Sequence, residues 1–115
     1  MVRLAARVMF WVGACAVIWL SLTPSPQFEF GVAPHWQHLL AYTALGTTGA
    51  TGFPGAHLRI RVGLGLASLG VSLEVAQAII PGRDSSLVDA GNNLIGVGLG
   101  MALALASERL YVLAR

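Results

Sequence analysis

All five prolines of this chain fall between apolar stretches and none falls inside one: Pro24, Pro26 and Pro34, then Pro54, then Pro81. Proline lacks an amide proton and restricts the residue before it, so it marks places where a helix stops. The runs left over are residues 4–22, 36–53, 60–80 and 87–107, each 18–21 residues long. At helical rise each reaches roughly 27–32 Å, close to a hydrocarbon core of about 30 Å. Inside lipid a backbone must bond to itself, which a helix does within its own segment. The expected fold is therefore all-α: a polytopic membrane protein, one domain spanning residues 1–115, built as a four-transmembrane-helix bundle.

Charge argues the same way. Only 10% of residues are charged while 56% are hydrophobic, and a soluble domain carries roughly 25% charged residues. That excludes a soluble globular domain, a nucleic-acid-binding domain and a disordered tail. The net charge is only +2 and the seven arginines are spread along the chain, so no nucleic acid is expected as a partner. With both termini cytoplasmic, Arg3, Arg7, Arg59, Arg61, Arg109 and Arg115 all lie inside and only Arg83 lies outside. The positive-inside rule selects that orientation. Trp19 and Trp36 then sit near the outer interface, where an aromatic belt is expected.

The first run has rival readings. A basic start before an apolar stretch also describes a signal peptide, and Val12-Gly13-Ala14-Cys15 loosely resembles a lipoprotein cleavage box. The chain after Cys15 stays apolar, however, where a mature lipoprotein turns polar. A retained helix is the better reading, with Cys15 as a small buried packing residue. A single cysteine excludes an internal disulfide or a cysteine metal site.

Polar side chains inside a bilayer are costly and face a bundle interior. In the third run Gly63, Ala67, Gly70, Glu74 and Gln77 recur at steps of four and three. Asp89, Asn93, Gly96 and Gly100 repeat that rhythm in the fourth, and His35, His38, Tyr42, Gly46 and Gly49 follow it in the second. Gly63, Gly70, Gly96 and Gly100 are expected to pack helices closely, since a small-xxx-small step lets backbones approach. Counted from the outer ends of their runs, Tyr42, Glu74 and Asn93 lie at one depth of about 9 Å, with His38, Gln77 and Asp89 one turn higher. The loop adds Arg83, Asp84, Ser85 and Ser86. All notable polar chemistry is thus expected in the outer leaflet, with almost none in the cytoplasmic half, where Glu108, like Glu29, reads as an ordinary interfacial charge.

Each residue has a plainer reading. Glu74 either keys helices together or exchanges protons and binds a ligand. His38 is either a satisfied polar group or a general base. Arg83 and Asp84 make either a solvated turn after Pro81-Gly82 or an anion-binding loop. Asp89 either caps its helix or takes part in function. No His-x-x-x-His or His-Glu-x-x-His spacing, phosphate loop or nucleophile elbow occurs, so neither a metal site nor a cofactor is expected.

These residues in this order resemble the VanZ-like family of small bacterial membrane proteins. The likeness runs from Ser21-Leu22-Thr23-Pro24 through His38-Leu39-Leu40-Ala41-Tyr42 to Glu74-Val75-Ala76-Gln77, Pro81-Gly82-Arg83, Ser86, Asp89, Asn93, Gly96 and Gly100, covering residues 18–105. Relatives often show Asp-Lys where this chain has Pro34-His35. The resemblance implies a multi-pass protein of the bacterial cytoplasmic (inner) membrane. It implies no biochemical activity, and a link to glycopeptide tolerance by resemblance only.

Three functions follow. The first is a cell-envelope protein engaging an anionic lipid or lipid-linked envelope precursor through Tyr42, Gln77, Arg83, Ser86 and Asn93, with Glu74 and Asp89 orienting donors. The second is a membrane-embedded transferase or hydrolase, with His38, Glu74 and Asp89 as catalytic candidates and Arg83 stabilising a developing anion. A transporter is the third and weakest, because inverted repeats are not visible. A homo-oligomer is compatible with all three.

Overall fold

The structure, a computed structural model, describes residues 1–24, 31 and 33–115. Four helices and no strand form among the described residues: α1 (Val2–Leu22), α2 (Pro34–Gly52), α3 (Ala56–Gln77) and α4 (Leu87–Leu113). α1 and α4 are long and apolar enough to cross a membrane. Pro26 and Glu29 lie outside the described residues.

The helix ends have local causes. Pro34 opens α2, where a missing amide proton costs nothing. Gly55, at φ 102°, reverses the chain between α2 and α3, a backbone angle that side chains with a Cβ rarely adopt. Ser86 caps α4, its Oγ accepting from the amides of Val88 and Asp89 at 3.1 and 3.4 Å. The bounds of α3 and α4 differ most from expectation. α3 begins at Ala56 and ends at Gln77 rather than Ile80, because the amides of Ala78, Ile79 and Ile80 turn back onto the carbonyls of Glu74, Ala76 and Gln77 ahead of Pro81. Glu74 therefore lies one turn from its helix end. α4 continues to Leu113, so Glu108 and Arg109 are helical rather than trailing residues.

Packing is organised around α2, which touches all three other helices, while α1 and α4 make no contact with each other among the described residues. The alternating chain direction makes α2 and α4 parallel, and theirs is the most extensive interface. Glycine makes it possible. A Cβ on Gly96 would stand 2.7 Å from the Leu39 carbonyl oxygen, and one on Gly46 2.7 Å from that of Val97. A Cβ on Gly100 would collide with the Thr43 carbonyl oxygen, whereas one on Gly98 would meet nothing within 4 Å. Gly63 accommodates Met101, and Gly70 accommodates Asn93 and Tyr42. The hydroxyls of Thr43, Thr47 and Thr48 bond to carbonyls one turn back at 2.7–2.8 Å, so these three hydroxyls need no water.

Buried and outward positions differ in side-chain size. Buried positions hold mainly small residues such as Ala6, Ala14, Ala50 and Ala104, and the largest fully buried side chains are Tyr42 and Asn93. Large apolar side chains point outward from every helix, among them Val8, Trp11, Leu40, Leu64, Val75 and Ile95. Cys15 is exposed, contrary to the expected burial. The inward face of α1 is Ala6, Phe10 and Ala14 at steps of four, and Cys15 lies one residue off that stripe.

Candidate functional site

Three helices each supply two positions one turn apart to one end of the bundle. α2 contributes His38 and Tyr42, α3 contributes Gly70 and Glu74, and α4 contributes Asp89 and Asn93. Residues four apart share a helix face, so each pair presents one group near the helix end and one a turn deeper. Gly70 leaves the deeper space on α3, and Tyr42 and Asn93 fill it.

The His38 ring nitrogen Nδ1 lies 2.9 Å from Asn93 Oδ1 and 3.5 Å from Glu74 Oε1. Neutral His38 protonated at Nδ1 donates to the Asn93 amide oxygen, and protonated imidazolium also pairs with Glu74. Glu74 is only 6% exposed. Its Oε2 accepts the Ser86 amide at 3.2 Å, while its Oε1 is buried without a hydrogen bond. The Tyr42 hydroxyl is likewise buried and unbonded. Ligand atoms of His38, Glu74 and Asp89 all lie within 4.8 Å of one another. His38 and Asp89 are half-buried and reach the edge of the cluster, with Glu74 behind them.

The remaining expected site residues serve the frame around this cluster. Arg83 donates from Nε to the Thr23 carbonyl at 3.0 Å and from Nη2 to the Leu20 carbonyl. Gln77 donates to the Ser21 carbonyl at 3.3 Å. Both thus satisfy carbonyls at the C-terminal end of α1, where a helix leaves acceptors unpaired. Arg83 forms no ion pair with Glu74 among the described residues. Ser86 is spent on capping α4 and on Glu74. Asn93 is fully buried and positions His38. The structure brings His38, Tyr42, Glu74, Asp89 and Asn93 together and holds Gln77 and Arg83 on α1.

The opposite end, expected to be nearly free of polar chemistry, holds a network of its own. Arg7 donates to the Gly52 carbonyl at 2.8 Å and lies over the Phe53 ring. Arg59 donates to the Ala50 carbonyl at 3.0 Å and pairs with Glu108. Glu108 is therefore not an isolated interfacial charge. The signal was in the sequence: an arginine one turn inside an apolar run needs a partner, and the last carbonyls of a neighbouring helix are the nearest acceptors.

Comparison with family models, curated proteins and solved structures finds no match for this chain. Its chemistry is read from the cluster itself: a buried carboxylate with one unpaired oxygen, an imidazole held by an amide, and a second carboxylate at the rim.

Proposed function

We propose that this chain is an integral membrane protein of the VanZ-like type with all four helices in the bilayer. Both termini are cytoplasmic, and the His38–Glu74–Asp89 end faces the outer leaflet. There it engages the polar head group of an envelope lipid or lipid-linked component. The observation that carries this reading is the convergence of His38, Glu74, Asp89 and Asn93 from three helices in a bundle whose large apolar side chains face outward. Lipid is the surrounding that such an exterior fits, and polar groups kept inside it face a site rather than the acyl chains. The arginine distribution supports the orientation, with six of seven on the side of the termini.

Within this reading His38 and Asp89 meet the ligand at the rim and Glu74 accepts from it with Oε1. Arg83 ties the loop to α1 and so brings the Ser86 amide to Glu74. Two of its five N–H donors are committed, leaving three for an anionic group.

Native mass spectrometry of protein extracted from its own membrane tests this. Wild type is expected to retain a specific lipid or precursor that Glu74→Gln loses at unchanged helical content. Equal retention by a folded Glu74→Gln protein would overturn the reading.

A second reading, a membrane transferase or hydrolase, draws on the 3.5 Å approach of His38 to Glu74. It takes His38 as general base and Glu74 as acid or orienting group, and it does without Arg83 on the reacting atoms, since that side chain is engaged on α1.

A further inference from the structure

The cluster has an excess of negative ligands. Glu74 and Asp89 approach one histidine, and among the described residues the only ion pairs are His38–Glu74 and Arg59–Glu108. Neither carboxylate of the cluster has an arginine. A buried carboxylate oxygen with no donor is costly unless something supplies positive charge to it. Glu74 Oε1 is such an atom, more than nine-tenths buried and directed at His38.

The spacing identifies what would supply it. Atoms bound to one ion by bonds of about 2.1 Å stand roughly 3.0–3.5 Å apart. His38 Nδ1 lies 2.9 Å from Asn93 Oδ1 and 3.5 Å from Glu74 Oε1, and the Asp89 carboxylate is within 4.8 Å. From these contacts we infer that His38, Glu74 and Asp89 form a binding site for one divalent transition-metal cation, Zn²⁺ or Mn²⁺, with the Asn93 amide oxygen as a fourth donor. One imidazole with two carboxylates suits these ions, which accept mixed nitrogen and oxygen ligands, more than Ca²⁺ or Mg²⁺, which prefer oxygen alone. Binding takes the Nδ1 lone pair, so neutral His38 shifts its proton to Nε2 and none is lost from the ring. The three ligands come from three helices, so a bound ion also clamps α2, α3 and α4 together. At the half-buried rim, open coordination positions are available to an anionic group.

This site coincides with the one proposed for head groups but does not depend on it: metal uptake is measured without lipid, and lipid retention in chelator. Full-length protein in detergent, stripped with chelator, is titrated with ZnCl₂ and separately with MnCl₂ by calorimetry. The expected result is one ion per chain for at least one of the two. His38→Ala and Asp89→Asn should each weaken binding more than about tenfold. His57→Ala and Glu108→Gln, which alter an exposed histidine and a carboxylate at the far end, should leave it unchanged. Asp89→Asn preserves shape at a half-buried position, so it reports on ligation even where His38→Ala fails to fold. Saturating cation should raise the Tm of wild type and not of Asp89→Asn. Absence of stoichiometric uptake of both ions by wild type, or equal affinity in folded Asp89→Asn, would overturn the inference.

Discussion

The two ends of the bundle face the same problem and treat it alike up to a point. Each has a helix terminus whose last carbonyls lack partners, and each supplies arginine: Arg7 and Arg59 on α2 at one end, Arg83 with Gln77 on α1 at the other. Then they diverge. At the Gly55 turn the surplus charge is matched, Arg59 by Glu108. At the other end two carboxylates gather round one histidine with no arginine between them, and Glu74 Oε1 and the Tyr42 hydroxyl are left unbonded. One end is a closed frame. The other has polar capacity that its own side chains do not use, and the proposed function rests on that difference.

The comparison can be broken in order of expected effect. The largest is at the glycine seam that joins both ends. Gly100→Val drives a side chain into the Thr43 and Thr47 backbone and should cost about 3 kcal/mol or more, because backbone cannot yield as a flexible side chain does. Gly98→Val, which meets open space, should change stability by less than about 1 kcal/mol. Thermal unfolding of the pair in detergent checks this. Next comes Asn93→Ala, which strips His38 of its amide partner and opens a buried gap, for a loss of about 2 kcal/mol. Arg83→Ala follows at about 1 kcal/mol, since it frees the Leu20 and Thr23 carbonyls at a helix end. The smallest is Glu108→Gln. Glu108 is nearly half exposed, so its pair with Arg59 should contribute about 0.5 kcal/mol or less and should weaken further in high salt.

The contrast also bears on what the chain reveals before it folds. The four helices follow from proline placement and run length, and the inward faces of α2, α3 and α4 from steps of three and four, because both are local properties. His38 and Asp89 could be placed at one depth, with Glu74 one turn deeper, on that basis. What they do with each other could not, since the contacts join residues on three helices and no spacing along the chain encodes a shared centre. For the same reason the partners of Arg83, some sixty residues away, were not legible: nothing along the chain says that an arginine in a polar loop also holds the end of a distant helix. The extension of α4 through Glu108 and the exposure of Cys15 were missed differently. The apolar run ends ahead of the adjacent Glu108 and Arg109, whereas the helix continues through both, with Glu108 paired to Arg59, and Cys15 falls one residue off the inward stripe of α1.

One measurement bears most directly on whether the His38–Glu74–Asp89 end is a site or a strut: the thermal stability of Glu74→Gln, compared with wild type in metal-free, delipidated detergent. Glutamine keeps an oxygen to accept the Ser86 amide and offers an N–H₂ toward the Asn93–His38 side. It also removes a buried carboxylate oxygen that has no donor. If the cluster is held ready for a ligand, the variant should unfold at the same temperature as wild type or higher, as sites kept for function commonly do when relieved of strain. A fall in Tm as large as that of Asn93→Ala would contradict this and make Glu74 a structural key between helices.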